Sequence, residues 1–314
     1  MASDLQPPLR RIAAIINLEA GSVRASELEA ESVRRLFQEA GIEADVHLVP
    51  GDRIEATARA SLAAGVDALA AGGGDGTIRS VAGVLAGGDV PLGVLPVGTL
   101  NHFARDLGIP VDLPGAVRLI AEGVPRALDV GEVNGEIFIN NSMLGFYPPV
   151  VEVRDQERRE KDRNKWLATV SATFKVLPRH RLLHVRVTAD GLSTDHQTRF
   201  LFVGNNEYEM SAFTYGARRR FDSGDLYLYI AKSRTRLGLI GLGLLGLFRD
   251  LAWTDRFDRF CLPEFSIETR KETVRVYLDG EVVRLKPPLH YRNRAHALRV
   301  IVPAEAGDTS PSSP

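Results

Sequence analysis

The stretch Ala70-Ala71-Gly72-Gly73-Gly74-Asp75-Gly76-Thr77-Ile78-Arg79-Ser80 (AAGGGDGTIRS) decides the fold of the first half of this chain. It follows the apolar run Val66-Asp67-Ala68-Leu69 and precedes a helical pattern over about 77–86. Glycines between a strand and a helix let backbone N–H groups approach a phosphate. Asp75 is out of keeping with that, since two like charges about 4 Å apart repel by about 4 kcal/mol at an effective dielectric near 20. The carboxylate becomes favourable if it holds Mg2+, which reverses the local electrostatics, or if it accepts a hydrogen bond from a hydroxyl. The plainer alternative is a tight turn capped by Thr77. No Gly-Lys-Ser/Thr closes the loop, so it is not a Walker A sequence, and it does not fit G-x-G-x-x-G.

Around this loop, strands and helices alternate. Residues 12–16 (IAAII) read as a buried strand. Ser26-x-x-Glu29 reads as a capping box opening a helix with the stripe Leu28, Val33, Leu36, Phe37 and Ala40, ended by Gly41. Residues 42–49 alternate as a strand. Asp52-x-x-Glu55 caps a second helix carrying Ile54, Ala58 and Leu62. Strands over 66–71 and 91–97 flank the helix after the glycine loop. This spacing is that of βαβ units, so the first half is α/β with a mainly parallel sheet. Ligands of such sheets bind outside the carboxyl ends of the strands. Three small-residue loops fall there: Asn17–Gly21, Gly72–Thr77, and the loop after the strand that runs from Pro91, through Gly98-Thr99. Together they favour a nucleotide site over three independent turns.

From about residue 128 the texture changes to short strands such as LDVGEV, EIFIN, TRFLFV, DLYLYIA, FSIET, TVRVYL and LRVIVP, which suggest a β-sandwich or barrel-like second domain. The expected organisation is 1–128, 129–303 and a compositionally disordered tail, 304–314. The length of 314 residues supports two domains. Lys+Arg 39 against Asp+Glu 40 leaves a net charge of −1, which argues against non-specific nucleic-acid binding. The single cysteine, Cys261, excludes an intrachain disulfide and is expected to be a small buried hydrophobe. Arg10-Arg11 precede only Ile12–Ile16, shorter than a signal h-region of about 7–15 residues. The apolar run 237–248, about 18 Å as a helix, is short of a roughly 30 Å hydrocarbon core and reads as a buried helix or an interfacial element. A soluble, cytoplasmic protein is expected.

GGDGT (Gly73–Thr77), followed some twenty residues later by PLGVLPVGTLNHFARDLGIP, resembles the diacylglycerol kinase catalytic-domain family, which includes bacterial lipid kinases and sphingosine kinases. GGDGT alone is shared with NAD kinases and, more loosely, phosphofructokinases. The resemblance extends through Asn140–Gly145, Val203–Asn206 and Asp279-Gly280-Glu281. It implies an α/β nucleotide-binding domain like those of NAD kinase and phosphofructokinase, then an all-β sandwich, with ATP and Mg2+ as cofactors and a lipid alcohol as acceptor. Matched residue by residue, Gly73, Gly74, Asp75, Gly76 and Thr77 form the nucleotide loop. Asn17 and Gly21 match the ends of an Asn-Pro-x-x-Gly loop, and Thr99 matches a phosphate-contacting threonine. Asp279 and Glu281 match the acidic pair near the catalytic centre, Glu281 standing where the general base is proposed. Without the family, TVRVYLDGEVVRL is only a β-hairpin with an Asp-Gly turn.

The departures are Leu18 for the loop proline, Ile78-Arg79-Ser80 for Leu-Asn-Glu, and His102 for an aspartate. Ser223 in Phe221-Asp222-Ser223-Gly224-Asp225 replaces an aspartate that helps bind a structural Mg2+ in bacterial relatives, so that metal site would need Asp222 or Asp225. Elsewhere, His180 and His184 have helical spacing but lead into a strand. Arg218-Arg219-Arg220 would face anionic headgroups, ATP or solvent, and the charged run 152–165 reads as a solvated helix face. The leading reading is an ATP-dependent kinase of diacylglycerol, with a sphingoid base or ceramide next, acting transiently at a membrane surface without spanning it. A homodimer is compatible with it. The competing readings are an NAD kinase-like enzyme with a soluble substrate and a binding protein that has lost catalysis. Asp75, Asp279 and Glu281, all intact, speak against the last.

Overall fold

The computed structural model describes residues 9–21, 28–153, 182–208, 218, 220–232 and 257–304. Ser26, His180, Arg219, the charged run from 154, the apolar run 237–248 and the tail from 305 lie outside them. The chain divides into two compact units, 1–128 with 296–314, and 129–295.

The first unit is built on a parallel sheet. Its strands are β1 (Arg11–Asn17), β2 (Glu43–Val49), β3 (Ala68–Gly72) and β4 (Leu92–Leu95), in the order β2-β1-β3-β4. Ile12 pairs with Ala44 on one side and Ala68 on the other. Strands buried on both faces carry unbroken apolar runs, and Ile12–Ile16 and Ala68–Ala71 are all buried. Each fully buried Ile or Leu contributes about 1.5–3 kcal/mol. The connecting helices are α1 (Ala30–Glu39), α2 (Ile54–Ala63), α3 (Asp75–Leu85), α4 (His102–Asp106) and α5 (Leu113–Glu122). α1 packs with α5 and α2 with α3. Neither expected capping box is the start of its helix. α1 begins at Ala30 with Glu29 as N-cap, and a 3-10 turn, Gly51–Arg53, precedes α2; neither N-cap accepts a side-chain bond. Among the described helices, α5 has a side-chain cap, Asp112 accepting from the Gly115 N–H at 2.8 Å.

The second unit is an antiparallel β-sandwich. One sheet contains β5 (Val124–Val133, which begins in the first unit), β6 (Glu136–Phe138), β8 (Leu183–Ala189), β9 (Leu192–Thr198), β13 (Glu264–Thr269) and the start of β16 (Leu289–Val302); β7 (Asn141–Gly145) belongs to the other. That other sheet adds β10 (Phe200–Asn205), β11 (Leu226–Ala231), β12 (Phe257–Leu262), β14 (Val274–Leu278) and β15 (Glu281–Leu285), in the order β12-β11-β10-β7-β14-β15. Leu201, Val203, Leu228 and Val276 of the second sheet pack with Val185, Ile267 and Tyr291 of the first. Tyr291 stacks on Phe265 at 5.0 Å, and its hydroxyl pairs with Ser142 Oγ at 2.9 Å. Complete burial pushes that hydroxyl's pKa well above its ordinary value.

The six-stranded sheet is apolar on its other face too. Phe202, Tyr229, Ala231 and Phe257 form a second cluster with Met143, Phe146, Phe200, Tyr208 and Tyr227. FLFV and LYLYIA lack polar alternation because both faces are lined with apolar side chains. Cys261, expected in the core, is instead exposed. On β12, Phe260 and Leu262 turn inward, which sends Cys261 outward, opposite Tyr227. Partial burial with the neighbouring Cys261 holds the Tyr227 hydroxyl up to about 12. The last strand also departs from expectation: from His296 it groups with the first unit, Val300 pairing in parallel with Leu92.

Candidate functional site

The strand order β2-β1-β3-β4, with β16 parallel beside β4, reverses direction between β1 and β3. This is the switch point at which open α/β sheets leave a crevice for ligands. The loops after β1 and β3 diverge from it. Asn17 bridges them, its Nδ2 donating to Thr77 Oγ1 at 3.1 Å while its Oδ1 accepts from the Glu19 N–H at 2.8 Å. Leu18, standing where the resemblance implies proline, uses the N–H that proline lacks: it donates to Val49 O at 3.0 Å.

The loop after β4 closes onto the same place. A Cβ on Gly98 would fall 2.4 Å from Gly74 Cα, and one on Gly73 2.5 Å from Thr77 Cβ, so only glycine permits this approach. A Cβ on Gly21 would lie 2.9 Å from Thr99 Oγ1, placing all three loops at one edge. Asn17, Gly21, Gly73, Gly74, Asp75, Gly76, Thr77 and Thr99 are thereby brought together. Asn101, whose role was not apparent in the sequence, organises the third loop from a left-handed conformation, φ 51°. Its Nδ2 donates to Pro96 O at 2.8 Å and Gly98 O at 3.1 Å, and its buried Oδ1 has no hydrogen-bond partner.

Asp75 opens α3, directly after its N-cap, Gly74. Its carboxylate accepts from the Phe103 N–H at 3.0 Å and the His102 N–H at 3.3 Å, at the first turn of α4. This explains a carboxylate among glycines without a ligand: it ties the second loop to the third and satisfies amides a short helix leaves open.

In the second unit, Asp279 and Gly280 form the two-residue turn of the β14–β15 hairpin, with φ 47° and 122° and Leu278 paired with Glu281. The pair divides its labour. Glu281 is exposed at the start of β15. Asp279 is buried and takes three backbone amides, Oδ2 from Ile139 N–H at 2.6 Å and Oδ1 from Asn140 and Asn141 N–H at 2.9 Å each. Arg218, expected on the surface, is buried, donating through Nη1 to Ile139 O at 2.6 Å and through Nη2 to Asn140 Oδ1 at 2.7 Å. A sequence of three arginines conceals this, because nothing in the pattern marks Arg218 as buried.

Asp222 and Asp225 flank a turn. Ser223 directs both its N–H (2.9 Å) and its hydroxyl (2.7 Å) to Asn206 Oδ1, and buried Asp129 accepts from the Gly224 N–H at 2.7 Å. Among the described residues no three His, Cys, Asp or Glu side chains gather as a metal set. His184 lies exposed on β8.

An α/β unit with glycine loops meeting at its switch point, followed by a β-sandwich unit, defines the class of nucleotide- or phosphate-binding α/β proteins. Residues 11–133 match the family profile of the diacylglycerol kinase catalytic domain. A Pseudomonas aeruginosa strain PAO1 protein named "Probable lipid kinase YegS-like" is 33% identical over 250 residues, 78% of this chain and 79% of the relative. A Bacillus subtilis strain 168 protein named "Diacylglycerol kinase" is 40% identical over 164 residues, 51% and 53% of the two chains. The crystal structure of a diacylglycerol kinase from Bacillus anthracis strain Sterne shares the fold at TM-score 0.66 and 19% identity, covering 96% of this chain and all of that one. This chain belongs to the diacylglycerol kinase catalytic-domain family, a family of lipid kinases. Among the described residues no helix is long and apolar enough to cross a membrane.

Proposed function

We propose that this protein transfers the γ-phosphoryl group of Mg·ATP to the hydroxyl of a lipid alcohol, diacylglycerol being the first candidate, at a membrane surface. The observation that carries the nucleotide half is the meeting of three loops at Gly21, Gly73 and Gly98, positions where a Cβ would clash. Such a cradle suits phosphate oxygens, and α3 presents its N-terminus to it. Gly73, Gly74, Gly76, Thr77, Asn17, Gly21 and Thr99 would hold the phosphates, and Asp75 the metal. Bound there, Mg·ATP supplies the phosphoryl group and Mg2+ the charge neutralisation.

Glu281, an exposed carboxylate, accepts the acceptor's hydroxyl proton as the phosphoryl group arrives. Asp279, engaged by three amides, acts through the turn it anchors. The test is labelled ATP offered with diacylglycerol, sphingosine, ceramide, polyprenol and NAD, with products separated by chromatography. Label in phosphatidic acid is expected; label confined to NADP overturns the lipid reading. Glu281→Gln is expected to lower turnover at least about a hundredfold, and near wild-type rates in it would remove Glu281 as base.

A further inference from the structure

We propose that Arg218 is a positioning residue for the acidic turn, acting through the peptide group between Ile139 and Asn140. The proposal rests on the reading of Glu281 as base. The oxygen of that peptide, Ile139 O, accepts from Arg218 Nη1 at 2.6 Å, and its nitrogen, Asn140 N, donates to Asp279 Oδ1 at 2.9 Å. One amide thus stands between a guanidinium and a carboxylate, its dipole aligned to stabilise both. Each charge is buried, Arg218 at 5% and Asp279 at 3% exposure, where an uncompensated charge is strongly unfavourable. Hydrogen bonds in such a series polarise one another.

The arrangement is held on every side. Asn205 Nδ2 donates to the same Ile139 O at 3.0 Å, and the Arg218 guanidinium lies 4.7 Å from the Phe221 ring centre and 5.6 Å from that of Tyr208. Arg218 Nη2 grips Asn140 Oδ1, and the Asp279 N–H returns to Asn141 O at 3.2 Å. Asp279 is in the left-handed region, so its backbone has little latitude once its side chain is fixed. Glu281 follows two residues later. A shift of 139–141 therefore moves the turn and, with it, the base; misplacement by about 1 Å can cost about a hundredfold in rate.

The experiment compares Arg218→Met, Arg218→Lys, Glu281→Gln and the Arg218→Met/Glu281→Gln double variant as full-length proteins, with Mg·ATP and a short-chain diacylglycerol in mixed micelles. Arg218→Met is expected to lower kcat about 30-fold with KM for ATP within about twofold, and Arg218→Lys to recover most of it. In the Glu281→Gln background Arg218→Met should cost no more than about twofold further, because both act at one step. A raised KM for ATP at unchanged kcat overturns the proposal. So does an additive double variant beside an impaired Glu281→Gln, which leaves the base reading standing. A wild-type-like Glu281→Gln overturns both. If Arg218→Met fails to fold, Asn140→Ala removes one acceptor of its guanidinium, with about a fivefold loss in kcat expected and the same non-additivity; unchanged kcat there overturns the positioning role.

Discussion

Asp279→Asn separates the two acidic residues of the hairpin by stability rather than by rate. Asparagine tolerates the left-handed conformation that Asp279 holds, so the substitution isolates charge and acceptor capacity. One amide oxygen can still take the Asn140 and Asn141 N–H groups, now as neutral bonds. The Ile139 N–H, 2.6 Å from Oδ2, would face an NH2 group instead. Losing that charge-assisted bond costs about 1.5–3 kcal/mol, and leaving the buried amide unsatisfied about 1–3 more. Arg218 also loses the buried negative charge on the far side of its peptide, a change of a kind worth about 3–5 kcal/mol when a buried pair is broken. These overlap, so about 4 kcal/mol in all is expected. For a unit of about 150–250 residues this lowers Tm by about 8–16 °C. Differential scanning calorimetry on the full chain, with Glu281→Gln as a control expected within about 2 °C of wild type, measures it. A Tm change below about 3 °C for Asp279→Asn would falsify the account of a buried, three-amide anchor.

Asp75→Asn should lower turnover at least about a hundredfold and weaken nucleotide binding by calorimetric titration; retained ATP affinity and rate would reduce Asp75 to a tie between loops. Gly98→Ala must displace Gly74 or Asn101, so ATP affinity should fall by about tenfold or more while the second unit's unfolding is unaffected. Asp67 accepts from the Arg11 and Arg10 N–H groups at 2.8 Å each, which lowers its pKa from the ordinary 3.8. Its stabilisation is therefore present above pH 3.8 and lost as pH falls through the lowered value. Asp67→Asn should be less stable than wild type at pH 6, and the difference should fade towards pH 3. A gap that widens on acidification would contradict that sign.

Much of the first unit was legible because parallel strands buried on both faces carry unbroken apolar runs, as in Ile12–Ile16, and because glycines at strand ends have few other uses. What escaped was set by tertiary surroundings. Leu192–Thr198 is almost wholly polar, yet forms β9 through full pairing with β8 on an exposed hairpin. The expected capping boxes were overridden, with Glu29 and Arg53 at the N-caps. Asp75 illustrates the limit best. Its oddity among glycines was visible, whereas the amides it serves lie 27 and 28 residues away. Arg218 and Asp279 are joined through a peptide near residue 140, a relation that no local pattern encodes.

The strand Leu289–Val302 begins in one unit and finishes in the other. Its last part completes the parallel sheet: Val300 pairs with Leu92, Gly87 N–H donates to Ala297 O at 2.7 Å, and Arg299 meets Asp89 at 3.1 Å. The first unit therefore stays unfinished on the ribosome until residues 296–302 emerge. Before that, β4 presents an open edge, the kind of template on which chains aggregate. Closing such a long loop is slow. A fragment cut at residue 128 would isolate the family-matching segment without the strand that seals it, and expression of that half alone should yield insoluble material.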